Sequence, residues 1–408
     1  MFLYRKSYIC TIEKNDMKEK IKQFFTNPRN LYILGFILVF ALSFSEVMRG
    51  KQRNFMIFSE ATQMFWNGIN PYFGQGAWEN VGLDYYIYGP LFNIFFAPFA
   101  YLPDWMGPFV WNLFNFTILF ISIFTLPKKY SNEQKCKTFL YTFLILATTQ
   151  LSFQYNVTVA YLFIFSFSLM EKGKSFWAIA LILFSGFTKI YGIFQLGFLL
   201  CYPKFWRNMG YVLIIALIFT LLPALKIPIA ELSDYYQTWF DALTSHEDDG
   251  RTWATFFYMK PFFHTSPSYM RYIQIATISS LAILLILNYK KYINFEFRAQ
   301  ALGILMGWVI LFSDTSEKHT YVIALLGYLM WYWTISPKKR LDKILFWANF
   351  IILTVVPVDL LCPSAVMKFI CNTLTFNIWL FTFTWLRMCY LTLVVNCFQG
   401  NKKVFSAS

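Results

Sequence analysis

Apolar runs of 13 to 21 residues recur along nearly the whole chain, parted by short polar stretches. A run of that kind must lie in lipid or inside a protein. The runs occupy residues 31–47, 107–126, 138–152, 157–170, 176–188, 190–202, 210–226, 272–288, 300–313, 321–335, 344–361 and 374–394. With 57% hydrophobic and 22% aromatic residues against 14% charged, the chain lies well beyond an ordinary soluble domain, at roughly 45–50% apolar and about 25% charged. Read as membrane-crossing, the runs predict an all-α polytopic membrane protein of about 12 transmembrane helices, a single domain over residues 1–408. Several runs are shorter than the ~20 residues a span needs, which predicts tilted or broken helices, and 91–103 reads as a re-entrant or interfacial piece. The first run follows a polar tail too long for a signal-peptide n-region, so it reads as a retained span.

Placing that tail inside and alternating puts 24 of the 35 Lys and Arg residues in inward segments and nine in outward loops. Such a bias orients a polytopic chain. It predicts a multi-pass protein of the bacterial inner (plasma) membrane, with a cytoplasmic tail at 1–30, both termini cytoplasmic, and two large external loops at 48–90 and 227–271. The formal charge of +14 then reflects attraction to the anionic inner leaflet, and with no soluble basic domain a nucleic-acid partner is not expected. His246, His264 and His319 all fall outward, so groups that exchange protons near neutral pH gather on the external face. The seven cysteines show no C-x-x-C spacing; Cys362 and Cys371, in "CPSAVMKFIC", are read as free thiols, with a bridge as the alternative.

Four stretches carry candidate chemistry. "SDTSEKHTY" (Ser313 to Tyr321) places Asp314, Glu317, Lys318 and His319 between two apolar flanks; His319 with Glu317 or Asp314 is a base and its orienting carboxylate, or else a solvated turn capping two helices. "FTKIYG" sets Lys189 between two runs of 13 residues each, a broken hairpin whose lysine either holds a lipid phosphate or snorkels to headgroups. "QLSFQYNVTV" offers Gln154 and Asn156, which either fix sugar hydroxyls or bond helix to helix. The first external loop contains "RNFMIFSEATQMFWNGINPYFG", a surface helix with Arg53, Asn54 and Glu60, then "WENVGLDYYIYGP" with Trp78, Asp84 and Tyr88. Its rings suit a sugar face or an interfacial aromatic belt.

In order and spacing, "NFMIFSEATQMFWNGINPY", "YGPLFNIFFAPFAYLPDWMGPFVWNLFN", "FTKIYGIFQLGFLLCYP" and "SDTSEKHTYVIALLG" resemble the mannosyltransferase-like proteins of glycosyltransferase family 87, in the version found in Bacteroidetes. The resemblance covers roughly Asn54 to Trp333. It implies a GT-C-type glycosyltransferase fold with an acidic residue in the first external loop, a polyprenyl-phosphate-linked sugar as donor, and inversion at the anomeric carbon. Many such proteins hold Asp where this chain has Asn54, in the pattern D-F-x-x-Y. An amide cannot take a proton, so the base role moves to Glu60, Asp84 or the 314–319 cluster. Ser313, Ser316 and His319 match a further run of the family, whose proline and tryptophan positions are here Asp314 and Glu317.

The expected activity is transfer of a mannose-like hexose to a hydroxyl of a glycolipid or envelope glycan on the periplasmic face. Lys189 with Arg251 or Arg53 would clamp the phosphate, His319 with Glu317 or Asp84 would act as base, and Gln154, Asn156, Trp78 and Tyr88 would grip sugars, with no metal and no cofactor required. Two other classes compete. A flippase of lipid-linked saccharide would want the same polar cavity, but such transporters usually show a repeated half and none is visible here; a member that has lost catalysis would act as an envelope-assembly scaffold.

Overall fold

The computed structural model describes residues 17–72, 86–245, 267–313, 316–358 and 361–395, and among them the chain is helix and turn with no strand. In chain order come α1 (Pro28–Met48), α2 (Arg53–Trp66), α3 (Pro90–Ala100), α4 (Gly107–Thr125), α5 (Asn132–Leu151), α6 (Asn156–Glu171) and α7 (Ser175–Thr188). A 3-10 helix over Ile190–Cys201 follows, then α8 (Phe205–Leu221), α9 (Leu232–Ser245), α10 (Pro267–Leu287), α11 (Phe295–Leu311), α12 (Tyr321–Thr334), α13 (Arg340–Phe350), α14 (Ser364–Met367) and α15 (Phe376–Cys389). Several starts are written locally. Asn27 accepts from Arg29 N at 2.9 Å, just ahead of the Pro28 that opens α1, and Ser131 and Gln134 form a reciprocal capping box on α5.

Among the described residues, three helices are long and apolar enough to cross a membrane: α1, α4 and Phe205–Leu225, which is α8 with the turn after it. Ser364–Thr373 and Phe376–Val394 add a fourth if the pair, bent by 53°, is taken as one broken span. The expectation of about 12 transmembrane helices in a GT-C-type arrangement is therefore corrected to three or four. The runs are helical, but many are short, and they are apolar because protein surrounds them. α12 has 14 residues, 12 of them buried, and at 1.5 Å per residue it reaches only ~21 Å against a ~30 Å hydrocarbon core. In α6, 13 of 16 residues are buried. α8 shows the opposite pattern: Leu213, Ile214 and Leu217 are 71%, 55% and 61% exposed, as side chains that meet lipid should be.

The core centres on α11 and α12, the most closely packed helix pair. Glycine makes that approach possible: a Cβ on Gly303 would stand 2.4 Å from the Gly327 carbonyl oxygen. Trp385 of α15 seals the pair by donating to the Ile304 carbonyl at 2.9 Å. At one end Arg298 of α11 grips Glu171 of α6 with two bonds of 2.7 Å, a paired geometry that a partly buried ion pair needs. Cys362 and Cys371 are free thiols.

Candidate active site

The site begins with a turn. α5 ends at Leu151, and the chain reverses through Ser152, Phe153, Gln154 and Tyr155 into α6. Phe153 has φ +51°, a left-handed conformation in which a bulky side chain is strained by about 1–3 kcal/mol. Neighbours hold it there. Asn54 of α2 donates its Nδ2 to the Ser152 carbonyl at 2.7 Å, Trp111 of α4 donates to the Phe153 carbonyl at 3.4 Å, and Phe153 N returns to Gln150 O at 3.0 Å.

The second component is the break between α7 and the 3-10 helix, where Lys189 has extended backbone. Its Nζ donates to Asn156 Oδ1 at 2.8 Å and lies 5.4 Å and 4.9 Å from the ring centres of Tyr88 and Tyr191, within cation–π range. Tyr191 donates to the same Asn156 oxygen at 2.7 Å. Gly89, next to Tyr88, donates its N–H to Thr188 O at 3.1 Å, and any Cβ on it would fall 1.9 Å from the Phe187 carbonyl oxygen. Only glycine lets the Tyr88 segment lie this close to the Lys189 break.

The third component is the segment before α12. Glu317 is exposed and accepts from Gln154 Nε2 at a long 3.5 Å; Asn156 reaches Gln154 Oε1 at the same distance. His319 is buried, with Nε2 3.1 Å from Ser152 Oγ and Nδ1 without a partner among the described residues. Asn54, Gln154, Asn156, Tyr88, Lys189, Glu317 and His319 thus stand in one connected cluster.

Electrostatics separate their capacities. Burial pushes Lys189 down to about 8, with the charge of Glu317 pulling it back up. Burial, aided by the Lys318 charge, pushes His319 down to about 3. The imidazole is therefore neutral throughout the physiological range and a poor proton acceptor in this conformation. Glu317, accessible to water and felt electrostatically by Lys189 and Tyr88, is the better-placed carboxylate.

Other expected residues stand elsewhere. Glu60 is exposed on α2, six residues beyond Asn54 and so about 240° around the helix from it. Arg53 is exposed at the first turn of the same helix. Trp78, Asp84, Arg251 and Asp314 lie outside the described residues. Among the described residues no group of three or more His, Cys, Asp or Glu side chains is arranged to hold a metal. Ser152 and Tyr191 belong to the cluster without having been singled out. Their signal was position alone, inside the two quoted stretches that supply Gln154 and Lys189.

The cluster is thus a cation flanked by aromatic rings, with amides and a carboxylate around it, in a helical protein that contains membrane-length spans. The chain matches the model of glycosyltransferase family 87 over residues 86–357, and it belongs to that family. It is a membrane-associated glycosyltransferase. The matched region contains the turn, the Lys189 break and the Glu317–His319 segment but not α2, and it does not single out the Bacteroidetes version. No curated protein matches the sequence.

Proposed function

We propose that the protein moves a mannose-like hexose from a polyprenyl-phosphate sugar to a hydroxyl of a glycolipid or envelope glycan, on the external side of the membrane. The observation that carries this reading is the Lys189 ammonium, fixed at a helix break by Asn156 and bracketed by Tyr88 and Tyr191. A partly buried cation with a neutral hydrogen-bond partner is a natural receptor for a phosphate. The donor phosphate rests on Lys189, and Gln154 and Asn156 hold sugar hydroxyls. The acceptor oxygen attacks the anomeric carbon from the opposite face, the bond from that carbon to the phosphate oxygen breaks, and polyprenyl phosphate departs with the bonding pair. Glu317 receives the acceptor's proton. His319 stays neutral and braces Ser152, so its role is positioning.

The test is transfer by purified protein in detergent from a polyprenyl-phosphate hexose. Lys189→Ala should lower kcat/KM by about 10²-fold or more, chiefly through donor KM, and Glu317→Gln should lower kcat by about 10²–10⁴-fold, the usual range for a positioned proton acceptor. Wild-type turnover with full activity in both variants would remove this site. A flippase would give no transfer in detergent at all.

A further inference from the structure

A cavity of about 420 Å³ opens between the end of α2 and the segment that leads from α8 into α9. Its walls include Phe65, Ile69, Lys226, Glu231, Asp234 and Tyr235. The volume lies within the ~300–1,000 Å³ of small-ligand sites. Tyr235 is 6% exposed, and its hydroxyl has no hydrogen-bond partner among the described residues. A buried hydroxyl left unpaired is costly, and a ligand hydroxyl would relieve it.

The charges on the wall choose among ligands. Glu231 and Asp234 outnumber Lys226, so a phosphate would meet net repulsion here, whereas sugar hydroxyls can donate to both carboxylates and accept from the ammonium. Phe65 and Tyr235 supply apolar ring surface for a pyranose face. Ile69 on the wall is 54% exposed, and Leu225 and Ile229, which flank the lining residues Lys226, Ile227 and Pro228 in the chain, are 66% and 75% exposed, at the end of the membrane-length helix Phe205–Leu225. That rim is suited to acyl chain or carrier lipid.

The cavity is joined to Lys189 through tyrosines. Tyr235 packs on Tyr72 at 5.4 Å, Tyr72 on Tyr86 at 5.6 Å and Tyr86 on Tyr88 at 5.8 Å, and Tyr88 is one of the rings bracketing Lys189. Tyr72 also donates to the Tyr88 carbonyl at 2.6 Å. We infer that this cavity is an acceptor subsite for an uncharged or amino-bearing saccharide, presented as the head of a membrane-anchored glycolipid, while the anionic donor is confined to Lys189. The inference rests on the glycosyltransferase reading of the neighbouring cluster.

The experiment is equilibrium binding to the full chain in an amine-oxide detergent, which carries no sugar. The probes are mannobiose, octyl-mannobioside and mannobiose 1-phosphate, applied to wild type, Asp234→Asn, Tyr235→Phe and Lys189→Ala. The expected result is binding of the neutral disaccharide, at least tenfold tighter binding of the octyl form, and, in Lys189→Ala, where the donor phosphate site is removed, weaker binding of the phosphorylated one. Asp234→Asn and Tyr235→Phe should each weaken mannobiose fivefold or more, and neither should unfold the protein, because one side chain is exposed and the other loses only an unpaired hydroxyl. Lys189→Ala should bind mannobiose as wild type does even though transfer is lost, so failure of the donor site and failure of this subsite read out separately. Preference for the phosphorylated sugar in Lys189→Ala, wild-type affinity in both cavity variants, or no binding of either neutral probe at millimolar concentration would overturn the inference. Equal binding of the free and octyl forms would overturn its lipid-anchored part.

Discussion

At Lys189, burial and a neighbouring carboxylate act in opposite directions, and the resulting value of about 8 is close enough to neutrality to be read in kinetics. The ammonium is present below that pH and is lost as pH rises through it, so the grip on donor phosphate should weaken on the alkaline side. His319, held down to about 3, should add no acid-side loss near 6.5. A profile of kcat/KM between pH 5.5 and 9.5 is expected to fall with a midpoint near 8 and to stay flat around 6.5. An acid limb near 6.5 that disappears in His319→Gln would return the base role to the imidazole. The sequence already pointed to Lys189, Glu317 and His319, because ionisable groups amid apolar runs stand out. What it did not contain was the division of labour among them: His319 is close to Glu317 in sequence, but burial against Ser152, 167 positions away, decides its protonation. By sequence Asn54 is a departure from the family's acidic residue; in the fold it is a donor to a carbonyl 98 positions away.

At the scale of elements, the Ser152–Tyr155 turn aims Gln154 and Asn156, and it keeps a strained Phe153 only because Asn54 and Trp111 bind its carbonyls. Asn54→Asp would replace a donor with a negative oxygen facing the Ser152 carbonyl. We expect a loss of about 1–3 kcal/mol of stability and a fall in kcat; thermal unfolding and steady-state kinetics of the variant measure the two. A rise in activity in Asn54→Asp would mean instead that the position still accepts a base. Between α11 and α12, Gly303→Leu should lower stability by at least about 1–3 kcal/mol, since the added side chain has only the Gly327 backbone to displace. Helix positions were legible from the apolar runs. Their lengths and surroundings were not, because an apolar run reads the same whether lipid or protein covers it, and α12 with Tyr328 and Trp331 wholly inside is indistinguishable by composition from α8 with Leu213 facing out.

At the scale of the molecule, the three or four membrane-length spans among the described residues carry a protein-buried helical core, and the polar cluster sits where that core is interrupted, at the α5–α6 turn, the Lys189 break and the segment before α12. In the function proposed, a lipid-borne phosphate approaches the Lys189 cation from the bilayer while hydroxyls and protons exchange at the exposed Glu317. The most direct measurement is the affinity of polyprenyl phosphate, without any sugar, for the purified protein in nanodiscs, compared between wild type and Lys189→Ala at pH 7 and pH 9.5. We expect wild type at pH 7 to bind at least tenfold tighter than Lys189→Ala, and the gap to narrow at pH 9.5 as the ammonium discharges. Equal affinity of the two proteins at pH 7 would contradict the account.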